Sequence, residues 1–173
     1  MKPTFKLKNY KIKKYDERDF NKVADLICKF QKKAKLSDLS SLEDQISSRL
    51  KRMEIEWFLD QYNTSDYTKY VGVNTDTNQI YVFSIFHRGT KRHSLVFTAK
   101  HPDCALTSTA LKSFKEMINL FCKNHNTKEL YSPLTKRENY EKYVNFMIKV
   151  FKAERVKTEK HLILIKYKIP LDI

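Results

Sequence analysis

An α+β domain of three layers, built on one mixed but mostly antiparallel sheet, is the fold this sequence predicts, and three observations predict it. Two amphipathic stretches near the N-terminus precede three apolar runs that are separated only by short turns, between Lys69 and Ala99. A helical stretch then divides the third run from a fourth, and a connection that passes through a helix pairs two strands in parallel by a right-handed crossover. One more helix and two closing strands complete the order β-α-α-β-β-β-α-β-α-β-β.

Phe5, Leu7, Tyr10 and Ile12, separated mostly by lysines, form a first predicted strand with an irregular step near Asn9. It ends at Tyr15 to Asp19, whose acids suit a helix start, and Phe20, Val23, Ile27, Phe30 and Ala34 then recur at helical spacing. Ser41 with Asp44 is a loose capping box for a second helix reaching about Gln61, with Ile46, Leu50, Met53 and Trp57 as its expected core stripe. Strands follow at Lys69 to Asn74, Gln79 to Phe86 and Arg92 to Ala99, joined as a meander by turns at Asn74 to Asn78 and His87 to Thr90. Thr107 to Ala110 open a helix with Leu111, Phe114, Ile118 and Phe121 on one side. Thr127 to Leu134 reads as the next strand. The helix from about Arg137 to Val150 turns Tyr140, Val144, Met147 and Ile148 inward, and strands near Lys152 to Thr158 and Lys160 to Ile169 finish the chain.

At 173 residues with 41% apolar content, the chain is long enough for one domain, residues 1–173, with a substantial core. Neither linkers nor repeats divide it. The basic N-terminus lacks the apolar stretch of a secretory signal, and runs such as Leu162 to Ile165 are too short to cross a bilayer, so no membrane partner and a cytoplasmic location are expected. Cys28, Cys104 and Cys122 contain no Cys-x-x-Cys and suit a reducing compartment. His101-x-x-Cys104 and Cys122-x-x-His125 imitate a split zinc site. The helix predicted between them, at about 1.5 Å per residue, holds the two pairs roughly 20 Å apart, far beyond a tetrahedral metal sphere, so no metal is expected.

The formal net charge of +14 attracts nucleic acid, an acidic protein partner or anionic cofactor phosphates. Abundant Lys, Asn, Ile, Phe and Tyr beside 2 Gly and 4 Pro also fit a compositionally biased, A/T-rich genome, which yields a basic chain without selection for binding. The lysines are spread over several elements rather than gathered on one.

Chemistry concentrates between His93 and Glu154. The run ending at Ala99 leads through Lys100-His-Pro102 into the small residues Cys104 to Ala110, whose position at a helix start leaves backbone N–H groups for an anion. Downstream, Asn139 precedes a helix ending Phe146-Met-Ile-Lys-Val150-Phe151. With the element order, these features resemble the GNAT superfamily of N-acetyltransferases over nearly the whole chain. The resemblance implies that the fourth and fifth strands splay apart. It also implies that a loop patterned Arg/Gln-x-x-Gly-x-Gly/Ala holds the pyrophosphate of acetyl-CoA. Counted from Pro102, that pattern falls on Ala105, Ser108 and Ala110, of which Ala110 matches; Thr107, Ser108, Thr109 and Ala110 are the implied cofactor-binding positions, and Thr107, Ser108 and Thr109 can also cap the helix. The family's general-acid tyrosine corresponds to Phe146 and its glycine to Val150, with Tyr143 almost one turn earlier as the substitute. Candidates for the base are His101, His93 and Glu129, while Tyr131 and Ser132 lie near the implied cleft without a role.

Because the loop glycine, the Arg/Gln and the tyrosine are absent together, the expected function is that of a divergent relative, of a kind bacteriophages and other viruses carry, which keeps the fold for interaction. Such a protein is a structural or accessory component, of a viral particle in one form, with an acidic partner for its basic surface. The alternative is an acetyl-CoA-dependent N-acyltransferase acting on an amine. A further alternative is a nucleic-acid-binding accessory protein that uses strand aromatics such as Tyr81, Phe83 and Phe86.

Overall fold

The structure is a computed structural model that describes residues 4–33, 41–136 and 140–173. Seven strands of the described residues lie in one sheet: β1 (Tyr10–Lys14), β2 (Tyr67–Asn74), β3 (Gln79–Arg88), β4 (His93–Lys100), β5 (Glu129–Thr135), β6 (Glu154–Thr158) and β7 (Leu162–Lys168). Their order is β1-β2-β3-β4-β5-β7-β6, and every neighbouring pair is antiparallel except β4 and β5, which are parallel. Helices α1 (Phe20–Lys33) and α2 (Ser41–Asp60) pack on one face, and α3 (Ser108–Asn124) and α4 (Tyr140–Phe151) on the other. The three-layer α+β architecture is therefore present, with its one parallel pair joined through α3.

Each face has its own core. Val23, Leu26 and Ile27 of α1 meet Ile55 and Leu59 of α2 above Val71, Phe83 and Ile85. Met117 and Phe121 of α3 and Val144 and Met147 of α4 meet Tyr70, Phe86, Leu130 and Ile165 below. Covered on both sides, β3 is buried from Ile80 to Phe86, as a near-continuous apolar run demands. Tyr81 is an extra residue there, left over where the β2–β3 register shifts by one. Its ring lies so close to Gly72 that a Cβ at that position would stand 2.6 Å from Tyr81 Cζ, which is why the strand carries glycine there.

Several side chains lie elsewhere than their spacing suggests. Met53 and Trp57 are exposed; α2 buries Ile55 and Leu59 instead, with Phe58 edge-on to Phe97 at 5.1 Å. That helix carries two apolar stripes, and periodicity alone cannot say which one faces the sheet. Ile148 is likewise at the surface, because α4 turns Val144, Met147 and Phe151 inward. Tyr81, Phe83 and Phe86 are fully buried core residues, so they offer no stacking surface to a nucleic-acid base. The first ladder begins only at Tyr10, and Phe5 instead forms an isolated bridge with Cys104. Ala34, the side chains of Ser41 and Asp44 that would form the capping box, those of Ile46 and Leu50, and residues 137–139 with Asn139 lie outside the described residues.

Candidate active site

The sheet has one weak seam. Strands β5 and β7 share seven paired positions, from Glu129 with Lys168 to Thr135 with Leu162, whereas β4 and β5 share one, Ser94 with Tyr131. Beyond that pair, the hydrogen bond that reaches across among the described residues is from Ser132 Oγ, 3.5 Å from the Leu95 carbonyl. The cause sits in β4. Its register with β3 shifts between Leu95 and Phe97, so Val96 is an extra residue, and a bulge bends its strand and increases the local twist. The C-terminal part of β4 is thereby turned away from β5, and the sheet opens as a notch.

At the far end of β4, a short loop delivers the chain to α3. Lys100 Nζ donates to the carbonyls of His101 (2.9 Å) and Cys104 (2.7 Å), and the Asp103 N–H donates to His101 Nδ1 at 3.1 Å. The N-terminal segment fastens the other edge. Phe5 N–H donates to Asp103 (2.8 Å), and its carbonyl accepts from Ala105 (2.9 Å). Thr107 caps the helix, its hydroxyl accepting from the Ala110 N–H at 3.3 Å. Among the described residues, the N–H groups of Leu106, Ser108 and Thr109 have no partner. No acidic side chain stands in the first turn to neutralise the positive end of the helix.

Three hydroxyls meet on the α3 and α4 side of the seam. Ser132 is buried on β5. Tyr167, on β7 opposite Leu130, is fully buried, and its hydroxyl has no hydrogen-bond partner among the described residues. The Ser132 hydroxyl faces it without completing a bond. Burial pushes the Tyr167 pKa far upward, and the neighbouring Tyr143 phenol raises it further. Tyr143 itself, on α4, keeps 48% of its surface exposed, while crowding around its hydroxyl raises its pKa. Phe146, at the expected tyrosine position, packs against Phe151 at 6.2 Å and contributes no proton.

The remaining candidates lie apart from the notch. His101 is buried as a staple of the loop, its Nδ1 committed as an acceptor. His93 starts β4 at the closed end of the seam, 5.9 Å from His125, and burial lowers its pKa, with Arg88 and His87 adding to the effect. Glu129 is exposed, accepting from Tyr131 Oη at 3.2 Å and pairing with Lys166 at 3.7 Å. Sequence reasoning missed Tyr167. The alternation of Ile163, Ile165 and Tyr167 marks one buried face, yet nothing local says that the third of them ends beside Ser132.

No family model matches the chain, and no curated protein sequence matches it. Solved structures do. PaiA N-acetyltransferase from Thermoplasma acidophilum, determined in complex with coenzyme A, superposes with a TM-score of 0.65 at 14% identity over 93% of this chain and 99% of that one. A GNAT-family protein from Desulfovibrio desulfuricans gives 0.63 at 9%, over 92% and 99% of the two chains. The fold is that of the GNAT N-acetyltransferases. Campylobacter jejuni N-acetyltransferase PseH in complex with acetyl coenzyme A is a further GNAT-like neighbour, at a TM-score of 0.53 and 13% identity over 93% and 99%. Within the GNAT fold the notch and the helix start of this chain fit an acyl-CoA: two adjacent free amides at Ser108 and Thr109 suit a diphosphate, and the orphaned Tyr167 hydroxyl lies beside the gap.

Proposed function

We propose that this protein is an acyl-CoA-dependent N-acyltransferase acting on an amine. The single observation that carries the proposal is the notch itself, one paired position between β4 and β5 beside a bulge, with open amides at one end and a cluster of hydroxyls against its inner face. Ser108 and Thr109 hold the diphosphate through backbone N–H groups, with Leu106 beside them. Bound acetyl-CoA supplies an activated thioester. Backbone N–H groups at the Val96 bulge would be the oxyanion donors towards its carbonyl. Tyr143 would take the acid role that Phe146 cannot fill: burial keeps its phenol protonated, and that proton would go to the departing thiolate. No base is assigned among His101, His93 and Glu129, which lie away from the notch, so the acceptor amine enters neutral or gives its proton to water.

Calorimetric titration with acetyl-CoA tests this directly. Saturable binding that Ser108→Glu abolishes, together with a lowered kcat and unchanged affinity in Tyr143→Phe, is the expected result; a protein that takes up no acetyl-CoA overturns it. A non-catalytic interaction role is the second reading, favoured by Phe146 at the acid position and by the Ala105 N–H being occupied by Phe5. Binding of coenzyme A without turnover of any amine would support that role, with an acidic partner for the basic surface.

A further inference from the structure

On the opposite face of the seam, a pocket of about 260 Å³ is lined by Arg92, Ser94, Pro133, Leu162 and Leu164, with the Lys157 and Glu159 ion pair completing its wall. Strand alternation puts it there: Leu130, Ser132, Ile163 and Ile165 point towards α3 and α4, so Pro133, Leu162 and Leu164 point the other way. Helix α1 packs on β3 and β4, and on this face β7 keeps partial exposure at Leu162, Leu164 and Lys166. Ser94 is both the single residue of β4 paired with β5 and part of the pocket wall, so the pocket opens against the base of the notch.

Its charges are unequal. Lys157 is paired with Glu159 at 2.7 Å, and nearby Lys166 is held by Glu154 at 2.9 Å and Glu129 at 3.7 Å. Arg92 is different. Its guanidinium lies 5.2 Å over the Tyr131 ring, and among the described residues no carboxylate stands within ion-pair distance of it. A guanidinium stacked on an aromatic face is fixed in orientation while its N–H fork remains available, which is the geometry that binds a carboxylate or phosphate through two parallel hydrogen bonds. The apolar wall beyond it suits a short methylene chain, and the volume suits a molecule smaller than a typical drug-sized ligand.

We infer that this pocket takes the acceptor, and that the acceptor is a small amine carrying an oxyanion at its other end, gripped by Arg92. The inference rests on the acyltransferase proposal for its place in the reaction, but the pocket and its preference are measurable without turnover. Three amines of equal length separate the possibilities: γ-aminobutyrate ends in a carboxylate, butylamine in a methyl group and putrescine in a second cation. Each is titrated into isotope-labelled protein while the amide signals of Ser94 and Leu164 are followed, and phosphoethanolamine against ethanolamine distinguishes a phosphate from a carboxylate source. The expected result is tighter binding of the anionic amines, shifts at both amides, and a loss of about tenfold in Arg92→Gln, with Arg92→Lys intermediate because it keeps the charge without the fork. Equal or tighter binding of putrescine or butylamine, an anionic preference untouched by Arg92→Gln, or no shift with any amine overturns it. Acetyl-CoA titration of the same sample keeps the two proposals apart. Arg92-dependent binding without acetyl-CoA uptake leaves the pocket standing and removes the enzyme, and the converse removes the pocket's preference alone.

Discussion

The two halves of the sheet are built on different terms. In the first half, β2 and β3 carry helices above and below, and β3 is buried at seven successive positions from Ile80 to Phe86. From β5 to β6 only one face is sealed: β7 alternates buried with half-buried residues, and all five residues of β6 are exposed. A doubly covered strand spends every side chain on packing, whereas a singly covered one leaves alternate side chains for chemistry. The seam between the halves is the natural place for a ligand. There, the apolar density that holds the first half together stops, and a bulge keeps the second half from closing onto it.

The largest effect should come from the covered half. Phe83→Ala is expected to cost about 3–5 kcal/mol in urea denaturation, by lost transfer energy and a residual cavity. Leu164→Ala, on the open face, should cost much less; an equal loss would mean that something covers that face in solution. Gly72→Ala comes next, at about 1–3 kcal/mol, because the new methyl group meets the Tyr81 ring and Val82 Cγ1, both 2.6 Å away. Adding Tyr81→Phe, which removes the hydroxyl oxygen 2.7 Å from that methyl group, should recover part of the loss, as a double-mutant cycle will show.

At the seam the sign reverses. Tyr167→Phe removes a buried hydroxyl that has no partner among the described residues, so stability should hold or rise by about 1 kcal/mol, while turnover falls if that hydroxyl supports Tyr143. A loss of stability would show that the hydroxyl is satisfied by water.

The smallest effect is a pH slope at the closed end of the seam. Burial first holds both histidines, His93 and His125, below the ordinary value of 6.5, followed by Arg88 and His87 for His93 and by His93, Arg88 and Lys14 for His125. The unfolded chain therefore binds protons first on acidification. The stability these residues contribute is complete above about pH 6.5 and is lost as pH falls through their lowered values. Urea midpoints should fall over that window, and His93→Gln with His125→Gln should flatten the slope.

Much of the fold was legible because it rests on local signals. Turn residues at Asn74 to Asn78, helical spacing from Phe20 to Ile27, and a helix between two apolar runs suffice for the element order and the parallel pair. The core stripe of α2 was not legible, since Met53 with Trp57 and Ile55 with Leu59 both satisfy helical spacing, and only the shape of the sheet beneath selects the second pair. The site was legible in part: Tyr143 and Ser132 were in view, and the helix start at Thr107 was placed to within a residue. His101 was a candidate base because histidine titrates near neutrality; the structure adds that its Nδ1 accepts from the Asp103 N–H within the loop.

By itself the sequence determined which segments are strands and helices, how they are ordered, and that the helix after the fourth strand starts in the small residues around Thr107. Those facts follow from side-chain periodicity, turn chemistry and residue identity, all of which act within a few residues. The tertiary structure alone decided that Val96 bulges, that β4 and β5 meet at a single pair, that Tyr167 is buried beside Ser132, and that Arg92 stacks on Tyr131 with no carboxylate of the described residues in ion-pair reach. Each of these depends on register and packing between strands far apart in the chain, where the competition between neighbours, and not any local preference, sets the outcome.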